Sequence, residues 1–323
     1  MEKDLTVDYL RFSLTDRCNL NCIYCSPLKK SQFLGRDEVL RYEEIVKVVS
    51  LFVKAGIKKL RLTGGEPLIK RDLVELIKML KMIEGLEEIA MTTNGVYLNL
   101  LAEGLKKAGL DRVNVSLDTL KKEKFRHITG SDYFEDVWAG IERAIGIGLR
   151  PVKLNVILMK GINDDEITDF ARLTLKRPLI ARFIELFPTN KRSYKLTGSL
   201  IKGEDVRKKI TGEFGEIDKI SGVRGNGPAE YYKIRGSTGA IGFISNASKD
   251  FCGECNRIRV DCAGRVSPCL FSGYIYNLRP LLRDGSGDDK LLAYLKNILS
   301  AKYDYNKKKT ANRCGIEMSA IGG

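Results

Sequence analysis

Histidine is almost missing from this chain: His127 is alone among 323 residues. No run of about 18 apolar residues occurs, which argues against a membrane-spanning helix. Met1–Lys3 leads into a polar–apolar mix without the apolar stretch of an export signal, so the expected location is cytoplasmic. The pattern G-x-x-x-x-G-K-[ST] is absent, which sets aside a nucleotide-switch protein. No low-complexity tract appears, and 43% hydrophobic with 30% charged residues describes a folded chain of one large or two smaller domains.

Acidic residues are outnumbered, 41 against 55 basic ones, giving a formal net charge of +14. The imbalance favours an anionic partner: nucleic acid, an acidic membrane surface or a phosphorylated small molecule. Much of it is scattered along helices, as at Lys58-Lys59, Lys106-Lys107 and Lys121-Lys122, where it reads as a solvated surface. Cysteine, by contrast, is plentiful, at positions 18, 22, 25, 252, 255, 262, 269 and 314. In a reducing compartment disulfides are rare, and clustered cysteines hold metal or do redox chemistry.

The first two thirds alternate strand and helix. Strands are expected at Tyr9–Thr15, Lys59–Thr63, Glu88–Thr93, Arg112–Leu117, Val152–Leu158 and Ile180–Leu186. Helices are expected at Tyr42–Ala55, Arg71–Met82, Leu100–Ala108, Lys121–His127, Phe134–Ile147 and Asp165–Leu175. Six such steps with short turns imply right-handed crossovers and a parallel sheet.

Successive strand residues point to opposite faces. Leu10, Phe12 and Leu14 oppose Arg11, Ser13 and Thr15; Leu60 and Leu62 oppose Arg61 and Thr63. Val113, Val115 and Leu117 oppose Asn114 and Ser116; Val152, Leu154 and Val156 oppose Lys153 and Asn155; Arg182 opposes Ala181 and Phe183. An open sheet covered on both faces would be apolar throughout, and a closed eight-stranded barrel fills its interior with Val, Ile and Leu. Here one face is polar and cationic. The expected fold is therefore α/β: a curved, incomplete (β/α)6 TIM-type barrel with helices outside and a polar cavity within. After about residue 190 the pattern gives way to Gly/Ser/Asn-rich stretches. Short strands at Ala229–Arg235, Ala240–Ile244 and Arg257–Val260 follow, then helical segments near Tyr276–Leu282 and Asp289–Leu299. The expectation is a smaller C-terminal α+β domain, with the division set at 1–200 and 201–323.

Cys18, Cys22 and Cys25 form C-x3-C-x2-C directly after the first strand, where reactive groups of parallel barrels gather. A structural zinc site normally takes four protein ligands, and no fourth Cys or His lies nearby. Three thiolates on one loop suit a cubane cluster with an open fourth iron. Cys252, Cys255 and Cys269 form a second trio; Cys262 interrupts it, so a four-cysteine zinc site stays open beside a second cluster. Arg257 and Arg259 share one face of a short strand, with Ile258 and Val260 opposite, an arrangement suited to phosphate recognition.

The C-x3-C-x2-C loop with Tyr24, together with Gly64-Gly65-Glu66-Pro67 after the second strand, resembles the radical S-adenosylmethionine (SAM) superfamily. The segment 251–259 (FCGECNRIR) with Cys269 narrows the resemblance to GTP 3′,8-cyclases of molybdenum-cofactor biosynthesis. So do 10–19 (LRFSLTDRCN), 92–95 (TTNG), 114–118 (NVSLD), 160–164 (KGIND), 182–185 (RFIE) and the terminal Gly322-Gly323. The resemblance spans essentially the whole chain.

It implies two 4Fe–4S clusters, held by Cys18, Cys22 and Cys25 and by Cys252, Cys255 and Cys269. It also implies SAM bound at Tyr24, Gly65, Ser116 and Phe187. GTP contacts fall on Arg11, Arg61, Thr92, Lys153, Arg257, Ile258 and Arg259, and Gly322 and Gly323 assist catalysis. The implied reaction takes a hydrogen from ribose carbon 3 and joins that carbon to carbon 8 of guanine. A one-electron donor and a downstream pyranopterin-forming enzyme are the implied partners, with no nucleic acid or membrane. Two other readings stand beside it. A peptide-modifying two-cluster radical SAM enzyme would share the first trio without needing Arg257 and Arg259. A basic Fe–S or zinc RNA-binding protein would need aromatic-interleaved basic strands, which are not found.

Overall fold

The computed structural model describes residues 7–25, 33–188, 190–224, 227–245, 255–269 and 276–308. Twelve strands and ten helices follow one another. The first half runs β1 (Tyr9–Ser13), α1 (Tyr42–Lys54), β2 (Lys59–Thr63), α2 (Leu73–Lys81), β3 (Glu88–Thr93), α3 (Leu98–Ala108), β4 (Arg112–Ser116), α4 (Lys122–Thr129), α5 (Phe134–Gly146), β5 (Val152–Leu158), α6 (Ile167–Lys176) and β6 (Leu179–Glu185). The remainder is α7 (Lys191–Lys195), α8 (Gly203–Phe214), β7 (Ile217–Ile220), β8 (Glu230–Ile234), β9 (Ala240–Ile244), β10 (Arg257–Val260), β11 (Arg265–Ser267), β12 (Tyr276–Asn277), α9 (Arg279–Arg283) and α10 (Asp288–Lys308).

Strands β1 to β6 are parallel and adjacent in chain order. β1 and β6 do not pair with each other. β1 takes β10 as its other neighbour and β6 takes β9, both parallel, so the barrel stays open between its first and last strands. The residues after 200 therefore extend this sheet at both edges: β9-β8-β7 beyond β6, and β10-β11-β12 beyond β1.

Alternation within the strands separates two environments. Leu10, Phe12, Leu60, Leu62, Ile89, Met91, Val113, Val115, Leu154, Val156 and Phe183 are all buried against the helices in one continuous core. On α1, Ile45, Val48, Val49 and Phe52 recur at helical spacing and meet that face, leaving the charged residues outside. The opposite strand face looks into the barrel, where water or a ligand can reach it.

The structure departs from the sequence expectation in the last third. Tyr276 opens no helix; it pairs with Val266 in the antiparallel β11–β12 ladder, and α9 begins only at Arg279, with Pro280 fixing its first turn. Helix α8 was not anticipated, because just two of its residues, Val206 and Ile210, are buried and its apolar periodicity is faint. Among the described residues no helix is long and apolar enough to cross a membrane.

Candidate active site

Register explains how the cations are brought together. Arg259 on β10 stands directly beside Arg11 on β1, and Arg11 beside Arg61 on β2. Ala90 on β3 then separates Arg61 from Arg112 on β4. One layer further along, Asn114 is paired with Lys153, and Asn155 with Arg182. Like charges directly opposite on neighbouring strands repel. An anion lying over this row would offset that repulsion. A cavity opens there, lined by Tyr9, Arg11, Arg61, Thr92, Arg112, Asn114, Lys153, Asn155, Arg182 and Arg257, with Gly227 and Pro228 at one wall.

Neutral groups space the cations. Arg61 donates through Nε to the Tyr9 hydroxyl and through a terminal nitrogen to Thr92 Oγ1 at 3.1 Å. The Asn114 amide oxygen, in its satisfied orientation, accepts from Arg61 at 2.7 Å and from Arg182 at 2.8 Å. Arg182 also donates from Nε to Asn155 Oδ1 at 2.8 Å. Burial opposes ionisation of the Tyr9 phenol, but Arg61, Arg112 and Arg11 outweigh it and hold the group below its ordinary range. The carboxylate of Glu88 takes Arg112 at 2.5 Å and Arg224 at 3.0 Å.

Lys153 is buried to 1% exposure. Its ammonium donates to the Tyr231 hydroxyl and to the Arg224 carbonyl, each at 2.8 Å, and lies 4.7 Å from the Tyr231 ring centre. Burial first, then Arg182, Arg112 and Arg61, push its pKa down to about 6. The site thus holds an amine that is easily kept neutral and is charged readily when an anion arrives.

The cysteine trio sits at the carboxyl end of β1, where the Gly-Gly-Glu-Pro element after β2 meets it. Gly65 N–H donates to Thr15 O at 2.7 Å and Glu66 N–H to Arg17 O at 2.8 Å. A Cβ on Gly65 would fall 2.1 Å from Arg17 O, so only glycine permits the approach. Glu66 is buried and accepts from Thr93 Oγ1 and Asn94 N at 2.6 Å each and from Leu68 N at 3.0 Å. Asn94 in turn donates to Asn19 Oδ1 at 2.7 Å and approaches Cys18 Sγ at 3.8 Å. Two strand ends therefore shape the loop that presents the thiols.

Cys18, Cys22 and Cys25 are half-buried thiols. Burial pushes the Cys18 thiol up to about 11 and Cys22 well above its ordinary value. Such thiols become thiolates when a cation takes the proton's place. Among the described residues no three His, Cys, Asp or Glu side chains converge on a single-ion site. A cubane asks for no such convergence, because each thiolate takes its own iron. The donor set fits that cluster.

The SAM positions carried over from the resemblance lie around the same rim. Tyr24 donates to Asp118 Oδ2 at 2.7 Å, and Asp118 also accepts from Ile157 N at 2.8 Å. Burial pushes Asp118 up to about 6. Ser116 ends β4, and Phe187 follows β6, half-buried. From α7, Arg192 donates to Asn21 Oδ1 at 2.7 Å and to the carbonyls of Cys25 at 3.2 Å and Cys22 at 3.3 Å, so it braces the outer turn of the cysteine loop. The sequence reading did not single out Arg192.

Of the second trio, Cys255 and Cys269 are half-buried thiols. Burial would raise Cys255, yet Arg257 and Lys302 together bring it down to about 6, which suits a thiolate ligand. Cys252, Gly322 and Gly323 lie outside the described residues. Arg257 lines the cavity and Arg259 is buried beside Arg11, but the Ile258 side chain points into the hydrophobic core, so only its backbone faces the site. Cys262 is buried, and its thiol is pushed up to about 12 by burial and then by Asp261. The sequence reading also left Tyr9, Arg112 and Arg182 out of the site. Alternation held the signal for each: Tyr9 shares a face with Arg11, and Arg112 with Asn114.

Comparison with known proteins agrees with this layout. The radical SAM superfamily matches residues 12–174, and the family described as Molybdenum Cofactor Synthesis C matches residues 179–308. The GTP 3′,8-cyclase of Heliobacterium modesticaldum is 45% identical over 92% of this chain and 90% of its own length. That of Pelotomaculum thermopropionicum is 41% identical over 98% of both chains. Among solved structures, Streptococcus suis SuiB bound to precursor peptide SuiA superposes with a TM-score of 0.63 at 13% identity, over 90% of this chain and 67% of that one. Native anSMEcpe with bound AdoMet and a peptide superposes with a TM-score of 0.57 at 17% identity, over 98% and 92%. At such identities these two show a shared fold. The sequence relatives extend across barrel and flanking strands alike, and on that ground the chain belongs to the GTP 3′,8-cyclase family of the radical SAM superfamily.

Proposed function

We propose that the cationic cavity is where GTP is cyclised to 3′,8-cyclo-7,8-dihydroguanosine 5′-triphosphate, the first step of molybdenum-cofactor biosynthesis. The observation that carries this reading is the in-register row Arg259–Arg11–Arg61, with Arg112, Lys153, Arg182 and Arg257 around the same space. Five guanidiniums and the Lys153 amine line one cavity, with Arg259 beside Arg11, and such a set suits the oxygens of a polyphosphate.

Cys18, Cys22 and Cys25 would hold a 4Fe–4S cluster, which with SAM would supply the radical chemistry for hydrogen removal at ribose carbon 3. The chain's own residues do the rest by holding and excluding. Arg11, Arg61, Arg257 and Arg259 fix the triphosphate and nucleoside, Thr92 orients Arg61, and Lys153 takes up a proton as the anion settles. Tyr24, Gly65, Ser116 and Phe187 form the SAM rim. The buried strand face and the wall at Gly227 and Pro228 keep water from a carbon radical.

Cys252, Cys255 and Cys269 would hold a second cluster, which would supply a binding site for the guanine base, and Gly322 and Gly323 would assist catalysis. What supports the second cluster is the pairing of Cys255 with cations and the position of β10, whose Arg257 and Arg259 join its strand to the cavity. Residues 1–200 then form the SAM-binding part and 201–323 the substrate-cluster part. A one-electron donor, a downstream pyranopterin-forming enzyme and a cytoplasmic setting complete the reading. Anaerobic reconstitution tests it: the protein should hold about eight irons, and with reductant, SAM and GTP it should yield 5′-deoxyadenosine and consume GTP. Zinc in the C-terminal site with GTP untouched would reject it.

A further inference from the structure

Lys302 is the feature that the account above leaves unused. It is fully buried, at 0% exposure, on α10. The buried residues of that helix, Leu291, Leu295, Ile298 and Leu299, set an apolar stripe, and Lys302 continues it at helical spacing where another aliphatic residue would pack. A buried ammonium without a counter-charge is strongly unfavourable. Among the described residues its hydrogen-bond partner is Cys255 Sγ, at 3.5 Å. Sulfur balances that charge only as a thiolate. A thiolate in an iron–sulfur cluster gives it an anion whose charge grows by one unit when the cluster is reduced.

We infer that Lys302 is a positioning residue of the second cluster: it holds the Cys255 ligand and favours the cluster's reduced form. The inference rests on the two-cluster reading. It explains why a lysine occupies a core position, and it ties the last helix to the cluster. The other end of α10 is anchored on α1, where Lys47 meets Asp288 at 3.0 Å. Hydrogen-bond donors to a metal-bound sulfur tune potential in this way, since a nearby positive charge makes one-electron reduction easier.

The test uses full-length protein carrying Cys18→Ala, Cys22→Ala and Cys25→Ala, so that only the second site can be filled. After reconstitution this background should hold about four irons. Adding Lys302→Met should lower the midpoint in an EPR-monitored titration, with about tenfold less reduced cluster at a fixed potential, which is about 59 mV for one electron. Lys302→Arg, which keeps the charge, should return most of that shift. Loss of iron from Lys302→Met but not from Lys302→Arg supports the inference equally. Without cluster, Lys302→Met should cost less stability than with it, because the cluster's charge no longer holds the ammonium. An unchanged or raised midpoint with full iron overturns the inference, as does equal destabilisation with and without cluster. A background that binds no iron overturns the two-cluster reading itself.

Discussion

Lys153 offers a way to observe the substrate site before any chemistry begins. Its amine is held at about 6 by burial and then by the neighbouring arginines, against an ordinary value of 10.5. At pH 8, therefore, only about one hundredth of it is charged in the empty protein. A triphosphate beside it favours the charged form. The arginines are charged throughout and exchange no proton. Binding of GTP at pH 8, without SAM or reductant, should thus draw in close to one proton per nucleotide, with the uptake shrinking toward pH 6. Calorimetry in buffers of different ionisation enthalpy reads this directly, and Lys153→Met should abolish it. The same shift makes a stability statement. The unfolded chain binds the proton more tightly, so the empty protein should gain stability as pH rises from about 6 toward 10.5 and lose it on return. Zero proton uptake at pH 8, or the same uptake in Lys153→Met, would refute the placement of the triphosphate beside this amine.

Three further outcomes are expected. Gly65→Ala forces a Cβ onto Arg17 O and should destabilise the protein by about 1–3 kcal/mol; thermal melting and the iron retained by the first site measure it. Arg257→Ala and Arg259→Ala should each weaken GTP use about tenfold or more, the loss of a charge-assisted contact, while the first cluster stays intact. Unchanged steady-state kinetics would remove both from the site. Glu88→Gln removes the carboxylate that Arg112 and Arg224 share. Breaking that buried pair should cost about 3–5 kcal/mol of folding stability, while nucleotide affinity rises because the chamber becomes more positive.

Much of this site was legible because strand alternation is a local rule. Arg11, Arg61 and Lys153 fall on the cavity face by counting residues, and five strands begin and end at the expected positions, β2, β3, β5, β9 and β10. Arg112 and Tyr9 obey the same rule and open their strands where expected, but the face count began one or two residues further on and passed over them. What could not be counted was long-range. That Arg259 stands beside Arg11 depends on β10 joining the edge of β1 across more than two hundred residues of chain. That Arg192 braces the cysteine loop, and that Lys302 reaches Cys255, depend on helices whose own patterns say nothing of their partners. A lysine in an apolar stripe was visible in the sequence, but its meaning required the sulfur beside it.

The central claim is that one chamber brings ribose carbon 3 of GTP to the radical made at the first cluster. Turnover of GTP carrying deuterium at that carbon tests it most directly. The account predicts 5′-deoxyadenosine that has gained the label, recovered together with loss of GTP. Unlabelled 5′-deoxyadenosine formed while GTP is consumed would contradict it.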